Sequence, residues 1–290
     1  MVTWIALAIS LLSLLLISQK NLALGMFVAA TILGFTTMLP IKFFDRIVTT
    51  FTDPSIVSLA VLVGVIAMIG GILEESGEME NLVRNMRIGK RPFLASSPAL
   101  LGMLPMPGGA LLSAPMVESS GEDLSGNTKA VINVWFRHIL FMIYPLSTAL
   151  IASAKIAGLN VYQTIPYLAP FFIFSVLLGY FFLLRETTAK MVYSGDFSPR
   201  GLLVPLGVIL LAPIADILLK TFLALPVPEY STLVGVILSF FAALIVSGYG
   251  SSRLMDITKK MKPWKYVLIV LGMFTFLNVC TVSGAPELIG

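Results

Sequence analysis

The sequence predicts an all-α polytopic membrane protein, organised as an inverted repeat around one re-entrant helical hairpin, with the second repeat incomplete in this chain. Three observations lead there. Of the 290 residues, 57% are hydrophobic and only 12% are charged, whereas a soluble domain carries about 25% charged residues. The apolar residues come in long unbroken runs instead of alternating, which excludes a membrane β-barrel. One apolar stretch, Phe93 to Val117, is interrupted by Pro98, Pro105, Pro107 and Pro115, and no continuous helix runs through such a series.

A bilayer core needs roughly 20 apolar residues of helix. Eight runs are candidates: Val2 to Ile17, Leu22 to Phe44, Ser55 to Leu73, Val131 to Ala154, Val161 to Leu184, Leu202 to Leu225, Tyr230 to Gly248, and Trp264 to Val282. Each must satisfy its own backbone in lipid, so each is expected to be helical. The first run is an anchor and not a cleaved signal, because no small-residue cleavage pattern follows it. Phe93 to Val117 reads as two half-helices of about ten residues, each too short to span. The chain then enters and leaves on one side of the membrane.

Charge tests this topology. With the N-terminus outside and the hairpin re-entrant, 14 of the 19 Lys and Arg residues face the interior, 4 face out, and Arg137 lies within a span. A hairpin that crossed once would leave 7 inside and 11 outside. The positive-inside bias favours re-entrance. The basic excess therefore speaks of orientation in a cell (inner) membrane and not of nucleic acid. Residues 77–91 read as a surface helix whose Arg84, Arg87, Lys90 and Arg91 meet anionic lipid. The single Cys280 permits no internal disulfide.

A Ser-Gly-x-x-Glu pattern at Ser76 recurs at Ser283, each copy closing a third span. Residues 1–200 form a first repeat of five spans plus the hairpin, and 201–290 a second repeat of three. Five is odd, so the second repeat starts from the opposite side, as in inverted-repeat secondary transporters. The expected complete protein runs to about 400 residues, with a second Pro/Gly-broken segment after residue 290.

Irregular backbone at membrane depth is tolerated where it is buried in protein or lines a watery cavity. At the tip Pro105, Met106, Pro107, Gly108, Gly109 and Ala110, the second half-helix would aim free amides and a positive dipole end at an anion. Ser96, Ser97 and Ser113 add hydroxyls. The bland alternative is a buried kink between packed helices. Asn133 and Arg137, four residues apart, would present an amide and a guanidinium from one helix face, unless Arg137 snorkels to the headgroups. His138, the only histidine, is a candidate for proton coupling or a packing residue. Asp216 is either a coupling carboxylate or half of an i, i+4 pair with Lys220.

The stretch Leu101-Gly-Met-Leu-Pro-Met-Pro-Gly-Gly-Ala-Leu-Leu-Ser-Ala-Pro-Met-Val117 resembles the signature of an uncharacterised family of archaeal and bacterial integral membrane proteins. That family is grouped with the ion-transporter superfamily of gluconate, citrate, dicarboxylate, arsenite and sodium/proton carriers. The resemblance implies an inverted-repeat transporter scaffold, a homodimer, and elevator motion of the hairpin-bearing domain. Sodium-dependent dicarboxylate relatives carry Ser-Asn-Thr at their tips. This tip reads Pro-Met-Pro-Gly-Gly, so their specificity does not transfer.

The expected function is secondary transport of a small organic anion, a carboxylate, coupled to Na⁺ or H⁺. The alternatives are a cation/proton antiporter and a non-transporting scaffold or channel component. An enzyme is not expected. The sequence holds no His-Glu-x-x-His, no P-loop, no dinucleotide fingerprint and no zinc spacing, so neither a cofactor nor a structural metal is called for, Na⁺ as a coupling ion aside.

Overall fold

The computed structural model describes residues 2–104, 109–187, 190–191, 193, 196–223 and 225–284. The expected tip at Pro105, Met106, Pro107 and Gly108 lies outside the described residues, as do Ser194, Gly195 and residues 285–290 of the second Ser-Gly-x-x-Glu copy. The described chain is helical, with no strand among the described residues. The helices are α1 (Val2–Ser18), α2 (Leu22–Thr37), α3 (Pro40–Thr52), α4 (Pro54–Glu75), α5 (Glu78–Arg84), α6 (Lys90–Gly102) and α7 (Gly109–Ser120). They continue with α8 (Gly126–Ile139), α9 (Thr148–Ile156), α10 (Val161–Gly179), α11 (Pro199–Phe222), α12 (Pro228–Ser247), α13 (Ser251–Met261) and α14 (Pro263–Val282). A 3₁₀ turn, Leu140–Met142, follows α8, and a π turn, Tyr180–Leu184, continues α10. Among the described residues, five helical segments are long and apolar enough to cross a bilayer: Pro54–Glu75, Val161–Leu184, Pro199–Phe222, Pro228–Ser247 and Pro263–Val282.

Two expected spans are broken, and proline breaks both. The run Leu22 to Phe44 ends as a helix at Thr37, where Met38 leaves with extended backbone (φ −142°, ψ 165°). Pro40 then opens α3 at its first turn, a position where the missing N–H costs nothing. The run Val131 to Ala154 stops at Ile139, passes through the 3₁₀ turn, and unwinds before Pro145, which disfavours helical backbone in the residue ahead of it. Ser147 then caps α9. The surface helix expected over residues 77–91 is short: α5 ends at Arg84, and Lys90 already belongs to α6.

The chain divides into two compact units. One comprises Met1–Val65, Leu218–Val234 and Lys262–Gly290; the other comprises Ile66–Ile217 and Gly235–Met261. In the first, α1 and α2 meet through small residues: Ala29 and Ala30 are fully buried, and Ser10 donates to the Ala29 carbonyl at 2.7 Å. A Cβ at Gly272 of α14 would lie 3.3 Å from the Ala23 carbonyl of α2. Close approach through small residues is how helices associate where lipid removes the hydrophobic drive. Asn278 Nδ2 of α14 donates to Thr50 Oγ1 of α3 at 2.8 Å. Thr50 in turn donates to the Arg46 carbonyl, so it keeps a partner without Asn278. Asn278→Leu is expected to lower stability by less than about 1 kcal/mol. Thermal unfolding in detergent checks this, and a loss several times larger would contradict it.

In the second unit, α6 and α7 form a helical hairpin against α8. Lys90, the first residue of α6, donates to Asp123, just past the end of α7, at 2.6 Å. Lys129 near the start of α8 meets Glu118 near the end of α7 at 2.6 Å. The chain therefore returns to the level from which it set out. At 1.5 Å per residue, the two arms of 13 and 12 residues are each about 20 Å long, short of the roughly 30 Å of a bilayer core. Leu94, Val117, Ile132, Phe136, Ile139 and Leu184 form the apolar core between them. Arg91 ties the hairpin's base to the end of the π turn: its guanidinium donates to the Arg185 carbonyl at 2.8 Å, the Thr187 carbonyl at 3.1 Å and the Tyr180 hydroxyl at 3.0 Å. Helix ends leave carbonyls unsatisfied, and a cation is the natural cap there.

Candidate functional site

At the far end of the hairpin from Lys90, α6 and α8 come together at Gly102. A Cβ there would lie 2.2 Å from the Arg137 carbonyl oxygen and 2.8 Å from Arg137 Cγ. Only glycine permits this approach. The two helices run parallel: their starts share the Lys90 and Asp123 end, and Gly102 and Arg137 mark the other. Ser97 lies five residues before Gly102, and Asn133 four before Arg137. Both therefore sit roughly 6–8 Å below the Gly102 crossing, at one depth.

Three of these groups are unsatisfied. Ser97 is fully buried, and its Oγ has no hydrogen-bond partner among the described residues. The same holds for the buried Asn133 Oδ1 and Arg137 Nη1. Each buried polar atom left without a partner costs about 1–3 kcal/mol. One of the three lies on α6 and two lie on α8, the helix that meets α6 at Gly102. Ser113, four residues into α7, is also fully buried. Ser96 turns back to the Pro92 carbonyl at 2.6 Å and takes no part. Gly109 and Ala110 open α7.

His138 does not join the set. It is exposed on the neighbouring stripe of α8, where Nδ1 lies 2.7 Å from the Val134 carbonyl and therefore carries the donated proton. Its ring sits edge-on to Phe141 at 5.5 Å. Trp135, on the same outer side, donates to the Ser175 carbonyl of α10 at 3.1 Å.

Asp216 belongs to a different cluster. It is 2% exposed and accepts a hydrogen bond from the Tyr162 hydroxyl of α10 at 2.8 Å. The local cause is Pro213. Without an N–H it leaves the Ile209 carbonyl free one turn earlier in α11, and the Tyr144 hydroxyl donates to that carbonyl at 3.4 Å. Two tyrosines thus gather at a proline break beside a buried carboxylate. Asp216 and Lys220 each have further interactions, and Lys220 also donates to Thr232 at 3.1 Å.

Sequence reasoning did not single out Gly102 as the seat of α8, the Lys90–Asp123 clasp, or Tyr162. For Gly102 a signal existed, since a glycine within an apolar half-helix marks close backbone approach. Tyr162 has none, because a tyrosine near the start of a span is ordinary. The basic run also sorts differently from the expected lipid-facing face. Lys90 and Arg91 are engaged internally, Arg87 stacks over the Tyr193 ring at 4.8 Å, and Arg84 remains exposed beside Glu80. No group of three or more metal-ligating side chains occurs among the described residues.

Helical architecture, five segments long enough to span and polar groups buried between short arms define the class: a polytopic helical membrane protein. A family model described as "Protein of unknown function (DUF401)" matches residues 3–290, and the chain belongs to that family. A search among curated proteins returns no match.

Proposed function

We propose that this chain is a secondary transporter of a small organic anion, driven by Na⁺ or H⁺, with the α6–α7 hairpin re-entrant in the cell membrane and its open end cytoplasmic. The observation supporting this is the two buried donors, the Ser97 hydroxyl and Arg137 Nη1, that have no hydrogen-bond partner among the described residues. A hydroxyl and a guanidinium N–H can both donate to a carboxylate, and the first residues of α7 add backbone amides at a positive dipole end. Arms too short to span and a base closed by Lys90 and Asp123 favour a dip over a crossing. The inverted repeat and the outside N-terminus rest on span order and charge distribution, the elevator motion and the homodimer on the family resemblance, and all four are part of the same proposal.

One observation favours a second reading. The buried Asp216 beside Tyr162 is the kind of intramembrane carboxylate that carries a proton or Na⁺. It suits the coupling step of an anion carrier, and equally a cation/proton antiporter. Uptake of labelled carboxylates into proteoliposomes, with imposed Na⁺ or pH gradients, separates the readings. Anion accumulation that falls at least about tenfold in Ser97→Ala and Arg137→Gln supports the carrier. Cation exchange without anion flux, lost in Asp216→Asn, supports the antiporter. If Gly109→Leu changes stability alone and no flux of either kind occurs, the chain is a scaffold.

A further inference from the structure

A cavity of about 470 Å³ opens along the hairpin, its lining including Glu80, Arg84, Phe93, Leu112, Met116, Ser119 and Tyr193. Its size falls within the roughly 300–1,000 Å³ typical of small-molecule sites. Leu112, Met116 and Ser119 lie at i, i+4 and i+7, one stripe of α7. The cavity therefore follows that helix for about 10 Å, from near its end to within three residues of Gly109, where α7 begins. Phe93, 5% exposed, forms part of the other wall. Ser97 stands four residues further along the same face of α6, and its buried hydroxyl has no partner among the described residues. Cavity and open hydroxyl occupy adjoining turns of one helix.

We propose that this cavity is the docking chamber for the transported solute, and that the solute is a monocarboxylate with an apolar body. The inference rests on the transporter reading above and specifies its substrate class. Arg84 gathers the carboxylate at the rim. It is paired with Glu80 at 2.6 Å, but the Arg84 side chain is 70% exposed, and exposed i, i+4 pairs contribute little and exchange partners readily. Phe93, Leu112 and Met116 receive the body. A dicarboxylate with its first charge at Arg84 would bring its second towards the Glu80 carboxylate of the same lining or against Phe93, Leu112 and Met116, and an unpaired charge is disfavoured in either place. Phe93, in the chamber wall, precedes Ser97 by one helical turn of α6.

The test uses Met116→Cys in a Cys280→Ser background, reconstituted in liposomes and modified by a water-soluble methanethiosulfonate. Benzoate is expected to slow modification by about fivefold at concentrations several times its dissociation constant, and succinate to leave it unchanged. Independently, Met116→Trp, which fills the chamber, is expected to lower benzoate uptake by at least about tenfold with an unchanged unfolding temperature. If benzoate gives no protection, the chamber is overturned, whether or not the vesicles transport anions. Equal protection by succinate overturns the substrate class. Protection without uptake by the unmodified chain keeps the binding site and ends the transporter reading. Uptake that survives Met116→Trp with its chamber filled ends the chamber as a route while transport stands.

Discussion

Gly102→Ala is expected to lower the unfolding temperature and, on the proposed carrier function, to abolish anion uptake, a large effect for one added methyl group. The new Cβ would lie 2.2 Å from a backbone oxygen, the carbonyl of Arg137, and backbone cannot rotate away as a side chain can. Helices α6 and α8 must move apart. Overpacking of this kind costs typically about 1–3 kcal/mol, and here it also displaces the helix bearing Asn133 and Arg137 relative to Ser97. A misplacement of about 1 Å in a preorganised site can cost on the order of a hundredfold in rate. The control is Gly207→Ala on α11, where a Cβ meets nothing within 4 Å. Removing an interior helical glycine there is expected to be neutral or to stabilise by about 0.5–1 kcal/mol. Thermal unfolding in detergent together with proteoliposome uptake checks the pair. A Gly102→Ala protein that melts and transports like the parent would show that the two helices are not seated on each other as described.

The apolar runs and the proline-rich hairpin were legible because both signals are local. Length and hydropathy locate the helices at Ser55 to Leu73 and Trp264 to Val282 within two residues of Pro54–Glu75 and Pro263–Val282. Hydropathy failed at Pro40 and Pro145, because an average over some 20 residues is insensitive to one missing N–H, although the rule that divides Phe93 to Val117 applies equally there. Pairings distant in sequence were not legible. Nothing in the basic run distinguishes Lys90, which ends 7% exposed against Asp123, from Arg84, which remains at the surface. That difference depends on where the hairpin brings residue 123. Likewise Asn133, Arg137 and His138 lie within six residues, and only the rotation of α8 decides that the first two hold buried atoms without a partner among the described residues while the third is exposed.

The clasp at the hairpin's base should respond asymmetrically to mutation. Asp123→Ala is expected to destabilise by about 3 kcal/mol or more, because removing one partner of a buried pair leaves the other charge uncompensated. The ammonium left behind is on a side chain 7% exposed at the very start of α6. Lys90→Met is expected to cost nearer 1 kcal/mol. It retains most of the stem that packs there, and the carboxylate it abandons, 23% exposed, is closer to water and has a further interaction. In the double variant no charge is stranded, so its stability should lie close to that of Lys90→Met and well above that of Asp123→Ala. Unfolding of the four proteins in detergent measures this coupling. Equal losses in the two single variants, or a double variant worse than Asp123→Ala, would mean that the pair is solvated and that something else holds the return of the chain. If the asymmetry is found, the desolvated ammonium is what requires residue 123 to come back to residue 90, so that the end of α7 is held at the start of α6.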